Sequence, residues 1–384
     1  MKQNLAEKTV MSLLVTRLRM SIPEIAQQLG IANSTIVGIL GRLKKKGLAT
    51  AGEAVPYGRG RPVVTYHLRL PCPVAAFVFD GTRLSGALFD EELRTKALNQ
   101  VDFVEVAAFD QAISLIAGQL DKLLTETGVE KAKLAGISIS ANAVRLGRET
   151  LLSSVLPWAN ELLQGRLAEV TGTSVKVVNF PILLAEYQKI SEFSVSSMVM
   201  FNVGDGISAH MAIANQIYEG ASCLAGELGH LIVIPGGALC GCGRKGCLEA
   251  YCSGPAIYKQ VISDLDSAVA SGLELESVRK LSPRKAIELI WQSWCDKDTY
   301  TRALMDEVID KLAWGLGMVL NLVDPEMVIF GGYLLENKSG WIDEIKRRSE
   351  RWTVHMKQRK IQYECCHATM EDQLRAVGSN FYYD

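Results

Sequence analysis

Residues 225–249 read AGELGHLIVIPGGALCGCGRKGCLE. Cys240, Cys242 and Cys247 sit in a loop where Gly241, Gly243 and Gly246 permit tight curvature around a small centre, and His230 lies ten residues upstream. Three thiolates and one imidazole make a closed tetrahedral donor set, the pattern of structural Zn2+, and four protein ligands leave no open position for catalysis by the metal. The competing reading is a set of unligated buried cysteines.

Outward from this loop the pattern is α/β. Apolar runs at 75–79 and 83–89, joined at Asp80-Gly81, read as a hairpin. Helical periodicity follows at 109–127, then a strand at 134–139. Further strands are expected at 175–178, 197–203, 209–214 and 327–330, and long helical stretches at 257–271 and 283–320. Hairpins with alternating helices predict mixed sheets in two lobes. Pro71 and Pro73 mark a linker in front of them.

Upstream of that linker the text changes character. Residues 1–70 hold 11 Lys/Arg against three Asp/Glu, and the remainder 30 against 39. A basic head on an acidic body suits a nucleic-acid-binding module joined to a sensor; a solvated basic face is the bland alternative. Ile22, Ile25, Ala26 and Leu29 follow helical spacing, as do Ile36, Ile39, Leu40 and Leu43. Ser21 and Pro23 start the first of these helices and Gly30 stops it, while Asn33 or Ser34 can cap the next. Two short helices joined by such a turn form a helix-turn-helix. Its second helix presents Asn33, Ser34, Thr35, Val37 and Gly38 to the major groove of double-stranded DNA, with Arg42, Lys44, Lys45 and Lys46 on phosphates. That face is poor in long polar side chains, so base reading rests on small or apolar contacts such as a thymine methyl.

Strands at 48–51 and 63–68 around a glycine-rich tip complete a winged helix-turn-helix over 1–70. Arg59-Gly60-Arg61-Pro62 resembles an AT-hook core, whose Arg59 and Arg61 would lie in a narrow minor groove and favour A·T-rich flanks.

Bulk properties narrow the class. No run approaches the roughly 20 apolar residues of a membrane span, and Lys2, Glu7, Lys8, Arg17 and Arg19 interrupt any signal-peptide reading of the N-terminus. Nine cysteines, an odd number, read as reduced thiols or metal ligands in a cytoplasm.

The segment 225–249, with VNFPILLAE at 178–186, FNVGDGIS at 201–208 and LNLVDPEMVIFGG at 320–332, resembles the signature of the ROK family of repressors and sugar kinases. With the basic head, the chain is similar to the family's sugar-repressor branch. The resemblance implies an actin-like, two-lobed sugar-kinase fold: a first lobe over 71–190, rejoined by 370–384, and a second over 191–369 carrying the zinc loop. It also implies a homodimer or homotetramer on a palindromic operator, and sugar contacts from Glu227, His230, Glu249 and Asn179.

The resemblance also argues against kinase activity. The family's kinases place an aspartate general base in Asn-Asp-Ala-Asn; here that position is Phe180 or Val178, depending on register. Neither side chain accepts a proton, and losing a positioned base costs about 10²–10⁴ in rate. The first phosphate hairpin shortens to Asp80-Gly81-Thr82, and the second carries Asp205, which would set a carboxylate against a triphosphate. Ser140-Ala141-Asn142-Ala143 replaces the usual sugar loop. The expectation is a DNA-binding regulator of sugar uptake or catabolism, a repressor controlled by a sugar or sugar derivative and not by ATP. Control by a docking transport protein, or residual kinase activity, are the alternatives.

Overall fold

The computed structural model describes residues 7, 10–11, 13–15, 17–55, 62–79, 83–103, 108–141, 144–146, 150–152, 163–179, 195–213, 216–266 and 275–382. The first described element is a helix (α1) at the described positions between 7 and 17. After a two-residue strand, β1 (Met20–Ser21), come α2 (Ile22–Leu29) and α3 (Asn33–Lys45). Ser21 and Glu24 form a reciprocal capping box at the start of α2, and Gly30 closes it in the left-handed conformation at φ 62°. α3 starts on Ala32 with no side-chain cap, so neither Asn33 nor Ser34 plays the capping part expected of them. β2 (Ala49–Val55) and β3 (Val63–Leu68) complete a three-stranded sheet ordered β1-β3-β2.

Two five-stranded sheets follow, and they repeat one topology. In the first, β4 (Val74–Phe79), β5 (Arg83–Phe89) and β6 (Thr95–Asp102) run as an antiparallel meander. β7 (Gly136–Ala141) and β10 (Val175–Val177) then add in parallel on the other side of β4, and β8 (Val144–Leu146) and β9 (Thr150–Leu152) form a small separate hairpin. In the second sheet, β11 (Met198–Val203), β12 (Ile207–Ile213) and β13 (Gln216–Tyr218) make the meander. β14 (Met327–Gly331) and β15 (Gln362–Cys365) add in parallel beyond β11.

Strand alternation sends successive side chains to opposite faces. On the first sheet, Ala75, Phe77, Phe79, Leu84 and Leu88 pack with Ile113, Ile116 and Leu120 of α4 (Phe109–Thr127), near α5 (Leu163–Thr171). The opposite face, Val74, Ala76, Val78 and Phe89, packs on Leu374 and Val377 of the C-terminal helix and joins one apolar cluster with Ile25, Ile36, Leu43 and Leu68 of the N-terminal unit. Segment 71–73 is tied down as well: Leu70 N donates to Glu91 O at 2.6 Å and Tyr382 Oη donates to Cys72 O at 2.8 Å.

The second sheet carries the larger core, with Val199, Phe201 and Val203 packed on helices. These are α6 (Glu249–Cys252), α7 (Gly254–Asp266), α8 (Leu275–Arg279), α9 (Pro283–Cys295), α10 (Thr299–Val323) and α11 (Ser339–Ser349); α12 (Met370–Asn380) is the C-terminal helix. The single helical stretch expected at 283–320 is two helices. Lys297 takes φ 65°, and Asp298 caps α10 by accepting from Thr301 N at 2.7 Å. Among the described residues no helix is long and apolar enough to cross a membrane.

Candidate metal centre and N-terminal basic face

The candidate metal loop follows β13, precedes α6 and lies outside the named strands. A short 3-10 turn at Leu228–His230 and the start of α6 flank it, and isolated bridges pair Ile232 with Cys247 and Leu239 with Lys245. One donor atom from each of His230, Cys240, Cys242 and Cys247 lies within 4.8 Å of all the others. Cys240 Sγ is 3.7 Å from His230 Nδ1, and Cys242 Sγ is 3.7 Å from Cys247 Sγ. Tetrahedral Zn2+ with ~2.3 Å bonds to sulfur has ligand–ligand edges of about 3.8 Å, so the donor set fits that ion.

The sulfur environment agrees with the geometry. Burial pushes the Cys240 thiol up to about 12, and burial also raises Cys247. At Cys242 burial pushes the same way, yet the Arg244 backbone and side chain outweigh it and bring that thiol down. Two buried sulfurs that resist ionising alone are thiols a dication would convert to thiolates. Backbone N–H groups of Cys242 and Arg244 already point at the sulfurs of Cys240 and Cys242.

With Nδ1 of His230 on the metal side, its Nε2 faces Glu227 Oε2 at 3.5 Å. Burial lifts the Glu227 carboxyl above the usual range, with Glu249 adding to the rise and His230 opposing it. Glu249 is buried; its Oε2 accepts from Ile207 N at 3.1 Å, and Oε1 lies 3.9 Å from Cys240 Sγ. The structure thus gathers Glu227, His230 and Glu249 around the metal loop. Asn179 is partly buried just past β10, on the first sheet. Val178 is buried in the apolar cluster beneath the N-terminal unit, and Phe180 lies outside the described residues.

The Asp205 carboxylate is buried and accepts from Tyr333 Oη at 2.6 Å. The Tyr333 ring packs beside Gly204, its hydroxyl occupies the space a Cβ on Gly254 would need, and Arg284 stacks over the ring at 4.3 Å. Lys338, also buried, donates to Tyr333 O at 3.2 Å and to Glu288 Oε1 at 2.6 Å. No sequence signal marked Tyr333, which reads as an ordinary residue after Gly331-Gly332.

A groove of about 590 Å³ lined by Asp310, Arg347, Arg348, Glu350 and Arg351 contains none of the predicted site residues. Its arginines are already engaged, Arg348 with Asp306, Asp310 and Glu344, and Arg347 with Glu344.

On α3, Ile36, Ile39, Leu40 and Leu43 are buried, and Asn33, Ser34, Thr35, Val37, Gly38, Lys44 and Lys45 are exposed. Val37 is 53% exposed, a large fraction for an apolar side chain in a short helix. A Cβ on Gly41 would meet nothing within 4 Å, so no internal contact requires that glycine. Arg42 is half-buried and held by Glu7, whose Oε1 accepts from Arg42 Nε at 2.6 Å. Arg59 and Arg61 lie outside the described residues.

Comparison with known proteins places this geometry. The model of the ROK family matches residues 79–382. The xylose repressor of Caldicellulosiruptor bescii is 28% identical over 265 residues, covering 64% of this chain and 63% of the repressor. The glucokinase of Halalkalibacterium halodurans is 26% identical over 246 residues, covering 62% of this chain and 73% of the kinase. Among solved structures, a ROK family transcriptional regulator described as a homolog of the E. coli MLC protein superposes with a TM-score of 0.70 at 20% identity, over 98% of this chain and 96% of that one. A Streptomyces griseus ROK glucokinase in complex with glucose and AMPPNP superposes with a TM-score of 0.66 at 21% identity, over 80% of this chain and 98% of that one.

Proposed function

The chain belongs to the ROK family, and we propose on that premise that it is a DNA-binding transcriptional regulator, a repressor of sugar uptake or catabolism genes whose kinase-like body senses a sugar. One observation carries the reading. The glucokinase fold accounts for 80% of this chain and leaves a remainder, whereas the regulator fold accounts for 98%. The family model, matching residues 79–382, leaves the basic unit of residues 1–70 outside it, and we read that unit as a winged helix-turn-helix in which α3 enters the major groove with Asn33, Ser34, Thr35, Val37 and Gly38. Arg42, Lys44 and Lys45 line its flanks, and Arg59 and Arg61 of the wing reach the minor groove.

In this reading the body binds its sugar through Glu227, His230, Glu249 and Asn179, and Zn2+ on His230, Cys240, Cys242 and Cys247 is structural. The metal, when bound, would fix the tautomer and aim of His230, leaving Nε2 to meet a ligand hydroxyl or Glu227. The chain acts in a cytoplasm, as a homodimer or homotetramer on a palindromic site. Occupation of the cleft shifts operator affinity by no more than the ligand's preference between the two conformations.

Catalytic inactivity is part of the proposal. The Tyr333 ring fills the space between Gly204 and Gly254, and a buried Asp205 stands at the turn where a triphosphate would need donors. Fluorescence anisotropy with a duplex selected from a random pool, titrated with hexoses, pentoses and amino sugars, tests the regulator. Binding that responds to one of them is expected. Absence of any duplex binding, together with ATP-dependent phosphorylation of a sugar, would establish the kinase reading that the glucokinase similarity favours.

A further inference from the structure

Arg42 and Lys46 lie four residues apart on one flank of α3, and both reach the same carboxylate. Glu7 Oε1 accepts from Arg42 Nε and Oε2 from Lys46 Nζ, each at 2.6 Å. Glu7 is 7% exposed, on the helix that also contributes Val10, Leu13 and Leu14 to the core of the N-terminal unit. Lys46 and then Arg42 hold its carboxyl well below the usual range against the opposing effect of burial. It is therefore an anion at neutral pH, fixed in place by the packing of α1. Neighbouring Lys44 and Lys45 are exposed, and no ion pair among the described residues engages either.

A duplex gains affinity from a protein cation by releasing the counterions condensed on its phosphates, and only a cation not already neutralised contributes its full charge. The Glu7–Arg42–Lys46 triad carries a net charge of one where two cations stand. We propose that Glu7 is a built-in counter-charge that stands in for a phosphate on α3, so that Arg42 and Lys46 are largely withheld from the duplex and Lys44 and Lys45 set the electrostatic part of binding. The inference rests on the DNA-binding reading above. Glu7 acts through its partners and is a positioning residue. Its effect is to lower sequence-independent affinity, which raises the share of binding decided by the exposed face at Ser34, Val37 and Gly38.

The test is the salt dependence of binding by the full chain to a short labelled duplex of arbitrary sequence. Glu7→Gln is expected to tighten binding roughly five- to tenfold at low salt and to steepen the slope of log K against log salt by about one. Lys45→Gln makes the slope shallower by about one, and Lys46→Gln by less than half as much, because its ammonium is tied to Glu7 and not to a phosphate. That pair of lysine variants decides the matter even if Glu7→Gln loses the α1–α3 contact and melts early. A folded Glu7→Gln protein with an unchanged slope, or equal losses from Lys45→Gln and Lys46→Gln, overturns the counter-charge and leaves DNA binding standing. Failure of the unaltered protein to bind duplex at any salt overturns the DNA-binding reading itself, and the counter-charge with it.

Discussion

Two glycine-rich regions border the second sheet and have gone opposite ways. The segment 230–247 brings four donor atoms within 4.8 Å of one another, an arrangement that fits a metal ion. The turn at 204–206, beside Gly331 and Gly332, is filled by the protein itself, with Tyr333 against Gly204 and its hydroxyl bonded to Asp205. The same device, backbone without Cβ atoms, serves a candidate metal site in one place and the seating of an aromatic ring in the other. Glycine density alone therefore does not announce a ligand; the chemistry of the nearest side chains does.

The sharpest way to break this contrast is to remove the guest. Cys247→Ser takes a buried donor from a candidate site whose metal, when bound, would contribute directly to folding. Metal content should fall from near one ion per chain toward zero, and the melting midpoint by on the order of 10 °C, equivalent to several kcal/mol. A variant that melts unchanged would make the loop a passive cysteine cluster. Next in size is Tyr333→Ala, which empties the self-filled turn at a cost of about 3–5 kcal/mol, the range for truncating a buried aromatic. Tyr333→Phe keeps the ring and removes the hydroxyl from Asp205, for about 1–3 kcal/mol. Chemical denaturation of both variants separates packing from hydrogen bonding, and equal losses would mean the ring contributes little.

Behind the metal loop, burial holds His210 down to about 4, opposed by its hydrogen bond with the Ala225 backbone. A neutral histidine in the fold and an ordinary one in the unfolded chain bind unequal numbers of protons between those values. Its contribution is complete above about pH 6.5 and is lost as pH falls toward about 4. Melting of His210→Gln across that window should show a shallower acid decline than the parent. The smallest expected effect is at a glycine that neither fills nor frames anything. Gly41→Ala, with open space around the new Cβ, should stabilise the helix by about 1 kcal/mol while weakening duplex binding at close approach. A rise in both would show that Gly41, exposed on α3, does not approach the duplex.

What the sequence disclosed follows from how far apart the interacting residues lie along the chain. The metal donors fall within eighteen residues and share a residue-type code, so they were readable directly. The α3 stripe was readable because Ile36, Ile39, Leu40 and Leu43 recur with the helical period. The pairing of Glu7 with Arg42 and Lys46 spans 35 and 39 positions, and the bond between Tyr333 and Asp205 spans 128; a single buried contact at such range leaves no periodic trace. Arg42 consequently read as a plain phosphate ligand, and Tyr333 as nothing. The break at Lys297 was hidden because apolar spacing continues on both sides of it. The edge strands β6, β13 and β15 were missed because each carries few strongly apolar residues to mark it, as in Thr95–Asp102 (TKALNQVD) and Gln362–Cys365 (QYEC).

The shared apolar cluster beneath the N-terminal unit carries a mechanical consequence. Leu68, Leu70, Val74, Leu374 and Val377 belong to one buried cluster with Ile36 and Leu43 of α3, so a swivel at 71–73 would have to open that cluster. If two chains grip one duplex, the distance between their reading helices is then machined into the assembly, and inserting or deleting one base pair between half-sites should be felt as a misfit that no slack can absorb.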